Sequence, residues 1–212
     1  MDLKNFIQKR PYLYHLTHQN NSQNIIKSGI ILSTTTIVEK SDIEDETKFL
    51  RSRRDSHTTV EIKGRKYHIR DQQPIFPKAL KKCVKGGWNS GDFIKHLNDR
   101  VFFWSTLKRL ERHFARYQDE DPVILKIKTA SIVEANPGNP PLFCRLNSGA
   151  TRPHPSYNGE APPRGPNAFL EANNYNRNIS SVAEVTFRDK CNLPRKFMTG
   201  KNPQGPWTSY TR

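Results

Sequence analysis

Apolar and polar positions alternate over residues 12–17, with Tyr12, Tyr14 and Leu16 on one side of an extended chain and Leu13, His15 and Thr17 on the other. A period of two with β-favouring aromatics predicts a short strand. The polar break Gln19-Asn20-Asn21-Ser22 supplies good N-cap residues. A short helix is therefore expected over about residues 23–28, with Gly29 at the C-cap position and Ile30-Ile31-Leu32 opening the next apolar run. The unit reads as strand, capped helix, glycine stop, strand.

Further along, Asp42, Glu44, Asp45 and Glu46 open a helix that buries Phe49 and Leu50 and runs into Arg51-Ser52-Arg53-Arg54. Residues 58–62 and 66–69 read as a hairpin turned by Gly64-Arg65. Short helical pieces follow over 79–84 and 91–97, the second capped by Ser90. Val101-Phe102-Phe103-Trp104 is a continuous apolar run of strand length, as expected for a strand buried on both faces. Leu107, Leu110, Phe114 and Tyr117 recur at helical spacing across a basic stretch, and VILKIK at 123–128 is another strand.

Between about residues 134 and 176 the chain turns rich in proline, asparagine and glycine, a composition that argues against regular structure. Long ordered loops in compact domains usually carry function; the alternative is a partly disordered insertion. Residues 181–187 return to strand character. There Val182, Glu184 and Thr186 share one face, and Ala183, Val185 and Phe187 share the other. A carboxylate in mid-strand costs stability if buried unpaired, so Glu184 either points to solvent or faces a polar site. The segment 196–212 is basic, contains Trp207 and Tyr210, and reads as a poorly ordered or partner-contacting tail.

The pattern as a whole is a single α+β domain over residues 1–195, followed by that tail. At 212 residues such a chain buries roughly 70% of its unfolded surface. The core is lean, with 34% hydrophobic residues and a mean hydropathy of −0.81. No stretch approaches a membrane span, and the start lacks the apolar core of a signal peptide. Cys83, Cys144 and Cys191 are widely spaced and odd in number, which favours a reducing cytoplasm over a disulfide framework and gives no metal-site spacing. His15 and His18 alone are a weak metal pair, so no metal is expected.

Charge adds the partner. With 35 Lys+Arg against 20 Asp+Glu the net charge is +15, which favours a polyanion. An acidic protein covering the basic face is the second candidate. His15 and Thr17 stand on one strand face just before a helix N-terminus, where backbone amides would welcome a phosphate. The alternative is a core histidine satisfied by a backbone carbonyl. The arginines at 51–54 form either a pyrophosphate fork or a solvated helix end.

Tyr14-His15-Leu16-Thr17-His18, then Asn24-Ile25-Ile26 and Gly29-Ile30-Ile31, resembles the Y-H-x-T-H opening of DarT-like ADP-ribosyltransferases. More closely, the chain resembles an uncharacterised bacterial family with the blocks R-P-Y-L-Y-H-L-T at 10–17, R-D-Q-x-P at 70–74, L-N-x-R-V-F-F-W at 97–104, N-S-G-A-T at 147–151, R-G at 164–165 and A-E-V at 183–185, a resemblance that spans roughly residues 10–195. It is also similar to nucleic-acid-modifying ADP-ribosyltransferase toxins of phage-defence toxin–antitoxin systems. The resemblance implies an ADP-ribosyltransferase-like fold, two small and mostly antiparallel sheets around an NAD cleft.

It further implies Glu184 as the catalytic glutamate and Arg54 as the pyrophosphate arginine, with Arg51 next and Arg70 able to take over the role. His15 and Thr17 would hold the ribose, and Phe103 would lie near the nicotinamide. An exposed base on single-stranded RNA or DNA would be the acceptor, stacked and clamped by Arg152, His154, Tyr157 and Arg164 of the long loop. An acidic antitoxin is the implied protein partner. NAD hydrolysis, protein ADP-ribosylation and a non-enzymatic basic binding module remain as alternatives.

Overall fold

The computed structural model describes residues 1–212, apart from the side chain of Ser156. Chain order runs α1 (Leu3–Lys9), β1 (Tyr12–His18), α2 (Gln19–Ser28), β2 (Ile30–Leu32), α3 (Thr34–Val38), α4 (Glu46–Arg51), β3 (Thr58–Ile62) and β4 (Arg65–Ile69). Then come α5 (Pro77–Cys83), α6 (Ser90–Asn98), β5 (Arg100–Trp104), α7 (Leu107–Tyr117), β6 (Pro122–Lys128), α8 (Thr129–Glu134) and β7 (Leu142–Cys144). The last elements are β8 (Glu184–Arg188), β9 (Lys190–Asn192), β10 (Lys196–Gly200) and β11 (Thr208–Thr211). The molecule is α+β.

Seven strands lie in the order β11-β10-β6-β1-β5-β8-β7, and every pair is antiparallel. That ladder is nearly two sheets. β1 meets β6 over seven register pairs, but it meets β5 only at Tyr14↔Trp104. β5 in turn pairs fully with β8, from Arg100↔Arg188 to Trp104↔Glu184. A four-strand half and a three-strand half therefore touch at one point and splay apart. The small ladders β2–β9 and β3–β4 flank them.

Local chemistry explains the boundaries. Gly29 closes α2 in the left-handed conformation at φ 71°, where any side chain would be strained. α2 begins four residues earlier than its pattern suggested, because His18 caps it: the Asn20 amide donates to His18 Nδ1 at 3.1 Å. The β3–β4 turn falls on Lys63-Gly64, both at positive φ, as a tight right-twisted hairpin requires. Asn89 rather than Ser90 caps α6, in a capping box with Asp92.

The main apolar core packs Leu13, Phe103, Leu125, Ile127, Phe143, Val185 and Phe187 between sheet and flanking elements, and α7 covers β1 through Leu16, Leu110, Tyr117 and Ile124. Two expectations change here. Part of the proline-rich loop is strand: Leu142–Cys144 pairs with β8, because three apolar residues there complete the sheet edge. Residues 196–212 are not a loose tail. They form the β10–β11 hairpin, whose first strand pairs with β6 and whose Phe197 is buried. No helix among the described residues is long and apolar enough to cross a membrane.

Candidate functional site

Where the two halves of the sheet part, a cavity of about 470 Å³ opens. Four consecutive β1 residues line it, His15, Leu16, Thr17 and His18, and from β5 Arg100, Val101, Phe102 and Trp104 do so. A cavity against a sheet face would be lined by every second residue. Runs of consecutive residues mean that it abuts the edges of β1 and β5, where ladder hydrogen bonds would otherwise run.

Side chains replace that ladder. His15 Nδ1–H donates to the Phe102 carbonyl at 2.8 Å, which leaves Nε2 as an acceptor. Arg70 Nη1 donates to the Leu16 carbonyl at 3.4 Å. His15 is thus satisfied by a backbone carbonyl, as the core reading expects, and it also lines the cavity. Burial and the Arg70 charge hold His15 well below the ordinary histidine range, at about 4, so it is neutral at physiological pH. His113 on α7, also in the cavity wall, is pushed down to about 3 chiefly by burial.

Glu184, at the start of β8, also lines the cavity. It is 3% exposed, and Ser148 holds both of its oxygens: the Ser148 amide donates to Oε1 at 3.1 Å and its hydroxyl to Oε2 at 2.6 Å. Desolvation raises its pKa to about 7 against these two hydrogen bonds, which pull the other way. The carboxylate faces a polar site rather than solvent.

Arg54, Arg70 and Arg100 line the same cavity, and none forms a salt bridge among the described residues. Arg54 is fixed by bonds from Nε to the Arg70 carbonyl and from Nη1 to Asn98 Oδ1, both 3.1 Å. Arg70 packs 4.3 Å above the Tyr117 ring, with Nε and Nη2 shut from solvent and without an acceptor. Arg100 Nε and Nη1 are likewise unmatched. Burial lowers the pKa of all three guanidinium groups, to about 10 for Arg54 and Arg100. They remain charged at pH 7, so the cavity is a buried positive site with unmet donors.

Of the residues singled out from sequence, the cavity thus brings together Glu184, Arg54, Arg70, His15 and Thr17. Arg51 lies outside it, because it pairs with Asp92 across the helix end; Arg53 pairs with Asp55. Only one tooth of the expected fork is present. Phe103 faces the main core against Phe187, at 5.7 Å between centroids, and Phe102 lines the cavity in its place. Register decides this: Trp104 pairs with Glu184, so Phe102 and Trp104 lie on the carboxylate's side. The start of α2 is no open anion site, since the Gln19 and Asn20 amides already donate to the Asp121 carbonyl and to His18.

Arg164 is no clamp on the surface. It is 4% exposed and braces the turn at 147–151 by donating to the carbonyls of Pro162, Ala150 and Asn147 at 2.8, 2.7 and 3.3 Å. That turn carries Ser148, so Arg164 positions the partner of Glu184. Arg152 and His154 are exposed and line no cavity described here. Tyr157 lines a separate cavity of about 510 Å³ with Arg145, whose guanidinium sits 5.2 Å from its ring.

Sequence reasoning missed Trp104, Asn98, Arg100, His113, Tyr117 and Ser148 as site residues. The L-N-x-R-V-F-F-W and N-S-G-A-T blocks hold four of them, but nothing in those blocks says that they converge. Residues 11–198 match a family of unknown function, DUF7002, and the chain belongs to that family. No curated protein and no solved structure matches it.

Proposed function

We propose that this chain is an NAD-dependent ADP-ribosyltransferase with an ADP-ribosyltransferase-like fold, acting on single-stranded nucleic acid as a toxin or phage-defence effector. One observation carries the reading. A buried carboxylate, Glu184, shares a cavity at the split between two antiparallel half-sheets with His15, Thr17 and unpaired arginines.

That set suits the chemistry. Breaking the nicotinamide–ribose bond develops oxocarbenium-like charge on the ribose, while neutral nicotinamide leaves with the bonding electron pair. No general acid is required. Glu184 stabilises the charge and accepts from the ribose 2′-OH. An acceptor N–H or O–H attacks the anomeric carbon and gives its proton to Glu184, whose pKa of about 7 suits a base working near neutrality. The overall products are ADP-ribosyl acceptor, nicotinamide and a proton.

We assign the pyrophosphate to Arg70 in preference to Arg54. Arg54 is engaged twice within the fold, whereas Arg70 holds one long bond and two unmatched N–H groups. An anion there would offset the cost of a buried, unpaired guanidinium. The +15 net charge supports a nucleic-acid acceptor through counterion release.

Radiolabelled NAD, incubated with separate pools of RNA, single-stranded DNA and protein, tests this directly. Label is expected on one nucleic acid, and Glu184→Gln should lower it by about 10²–10³-fold with the far-UV spectrum unchanged. Full activity in that variant, or label on protein alone, would sink the reading. In the wild type, kcat/KM should fall as pH drops below about 7, where Glu184 protonates.

A further inference from the structure

A second cluster of chemistry lies at the rim of the cavity. His57 precedes β3, His68 is on β4, and Glu120 follows α7. One ligand atom from each of the three comes within 4.8 Å of the others. His57 Nε2 lies 3.2 Å from Glu120 Oε1. In a tetrahedral zinc site with bonds of about 2.0–2.1 Å, neighbouring ligand atoms stand about 3.3 Å apart. Two independent features show that the cluster is not satisfied as it stands. His68 Nε2 and Glu120 Oε2 are both shut from solvent, and neither has a hydrogen-bond partner. Buried polar atoms of this kind call for an explanation, and an ion is one.

We propose that His57, His68 and Glu120 form a binding site for a first-row transition-metal ion, with zinc(II) the best match to two imidazoles and a carboxylate. The three residues stand far apart in the chain, so no ligand spacing betrays them in sequence. The tertiary fold alone assembles them, by packing the β3–β4 hairpin against the end of α7.

The surroundings set the selectivity. Asp71 lies beside the cluster but is shared with Arg116, whose Nη2 is 3.3 Å from Asp71 Oδ1. Arg70 also raises the positive potential at His68. A hard cation held by charge alone, such as magnesium or calcium, is disfavoured there, whereas an ion bound through neutral imidazole is not.

Binding exchanges partners at His57. Without metal, its Nδ1 accepts from the Asp71 amide at 3.0 Å, so Nε2–H donates to Glu120. With metal on Nε2, that proton moves to Nδ1 and turns to Asp71 Oδ2, now 3.5 Å away, as the carboxylate behind the ligand. The site would tie the hairpin, which carries His68 in the cavity wall, to the α7–β6 connection.

Cobalt(II) titration of the chelator-stripped 212-residue chain tests the proposal, followed by displacement with zinc(II). The expected result is one equivalent of cobalt bound with the visible absorption of a four-coordinate N/O site and without a thiolate charge-transfer band. His57→Ala and Glu120→Gln should each weaken binding by at least about tenfold, while far-UV circular dichroism and thermal unfolding of the metal-free variants verify that both fold. Failure to take up cobalt, a six-coordinate spectrum, a thiolate band, or wild-type affinity in either folded variant would overturn it.

Discussion

The two edges of β1 are made of the same seven residues and do opposite things. Toward β6 the strand pairs along its whole length, Tyr12↔Lys128 to His18↔Pro122. Leu125 and Ile127 on that partner are fully buried. Toward β5 it pairs once, and beyond that point side chains do the work of the ladder: His15 answers the Phe102 carbonyl and Arg70 the Leu16 carbonyl. A buried backbone group must find a partner somewhere. Where backbone meets backbone, the result is a closed core. Where a ring and a guanidinium are interposed, the strands stand apart and room is left for a ligand. The site is built by withholding strand pairing along one seam.

Mutations that respect this division should separate stability from function. Leu125→Ala, on the closed edge, is expected to cost about 2–5 kcal/mol in chemical denaturation, because it leaves a cavity in a packed core. Arg70→Ala, on the open edge, should raise the KM for NAD by about 10–100-fold but shift the denaturation midpoint less than Leu125→Ala does, since the loss of its bond to the Leu16 carbonyl is offset by the removal of a buried charge with two unmatched N–H groups. Arg54→Ala should lower stability as well, because two hydrogen bonds to Arg70 and Asn98 go with it. If Arg54→Ala alone raised the KM, the assignment of the pyrophosphate to Arg70 would be wrong.

Acid should open the same seam. His15 and His113 are held neutral, at about 4 and about 3, against 6.5 in the unfolded chain. A group with a depressed folded pKa contributes stability that is full above its unfolded value and lost as pH falls through the folded one. The melting temperature should therefore fall between about pH 6.5 and 4, and His113→Phe should flatten that decline. A profile unchanged by His113→Phe would mean that this ring titrates normally. The smallest effect concerns Ser148, whose hydroxyl lowers the Glu184 pKa. Ser148→Ala should move the acid limb of kcat/KM to higher pH while leaving the plateau within a few-fold. A shift to lower pH would contradict the hydrogen-bond geometry.

Much of this was legible in the residues. Period-two alternation located β1, β8 and the end of β6, a continuous apolar run located β5, and Gly29 marked the end of α2. A glutamate flanked by apolar residues in a strand stood out because burying it has a cost. These signals are local, and local chemistry fixes them. The partner of each element was not legible, since pairing register carries no mark in either strand. Phe102 and Phe103 look alike in sequence, and only the Trp104↔Glu184 pairing sets one in the cavity and the other in the core. Arg164 reads as an exposed loop cation until the fold buries it beneath the 147–151 turn. His57, His68 and Glu120 likewise meet only through packing. Residue spacing and side-chain chemistry were enough to place most of the strands and helices, the charge and a carboxylate in mid-strand, because these act over a few residues. Tertiary structure alone decided which arginine is left unpaired, which aromatic faces the cavity and where the sheet divides, because these depend on contacts between segments far apart in the chain.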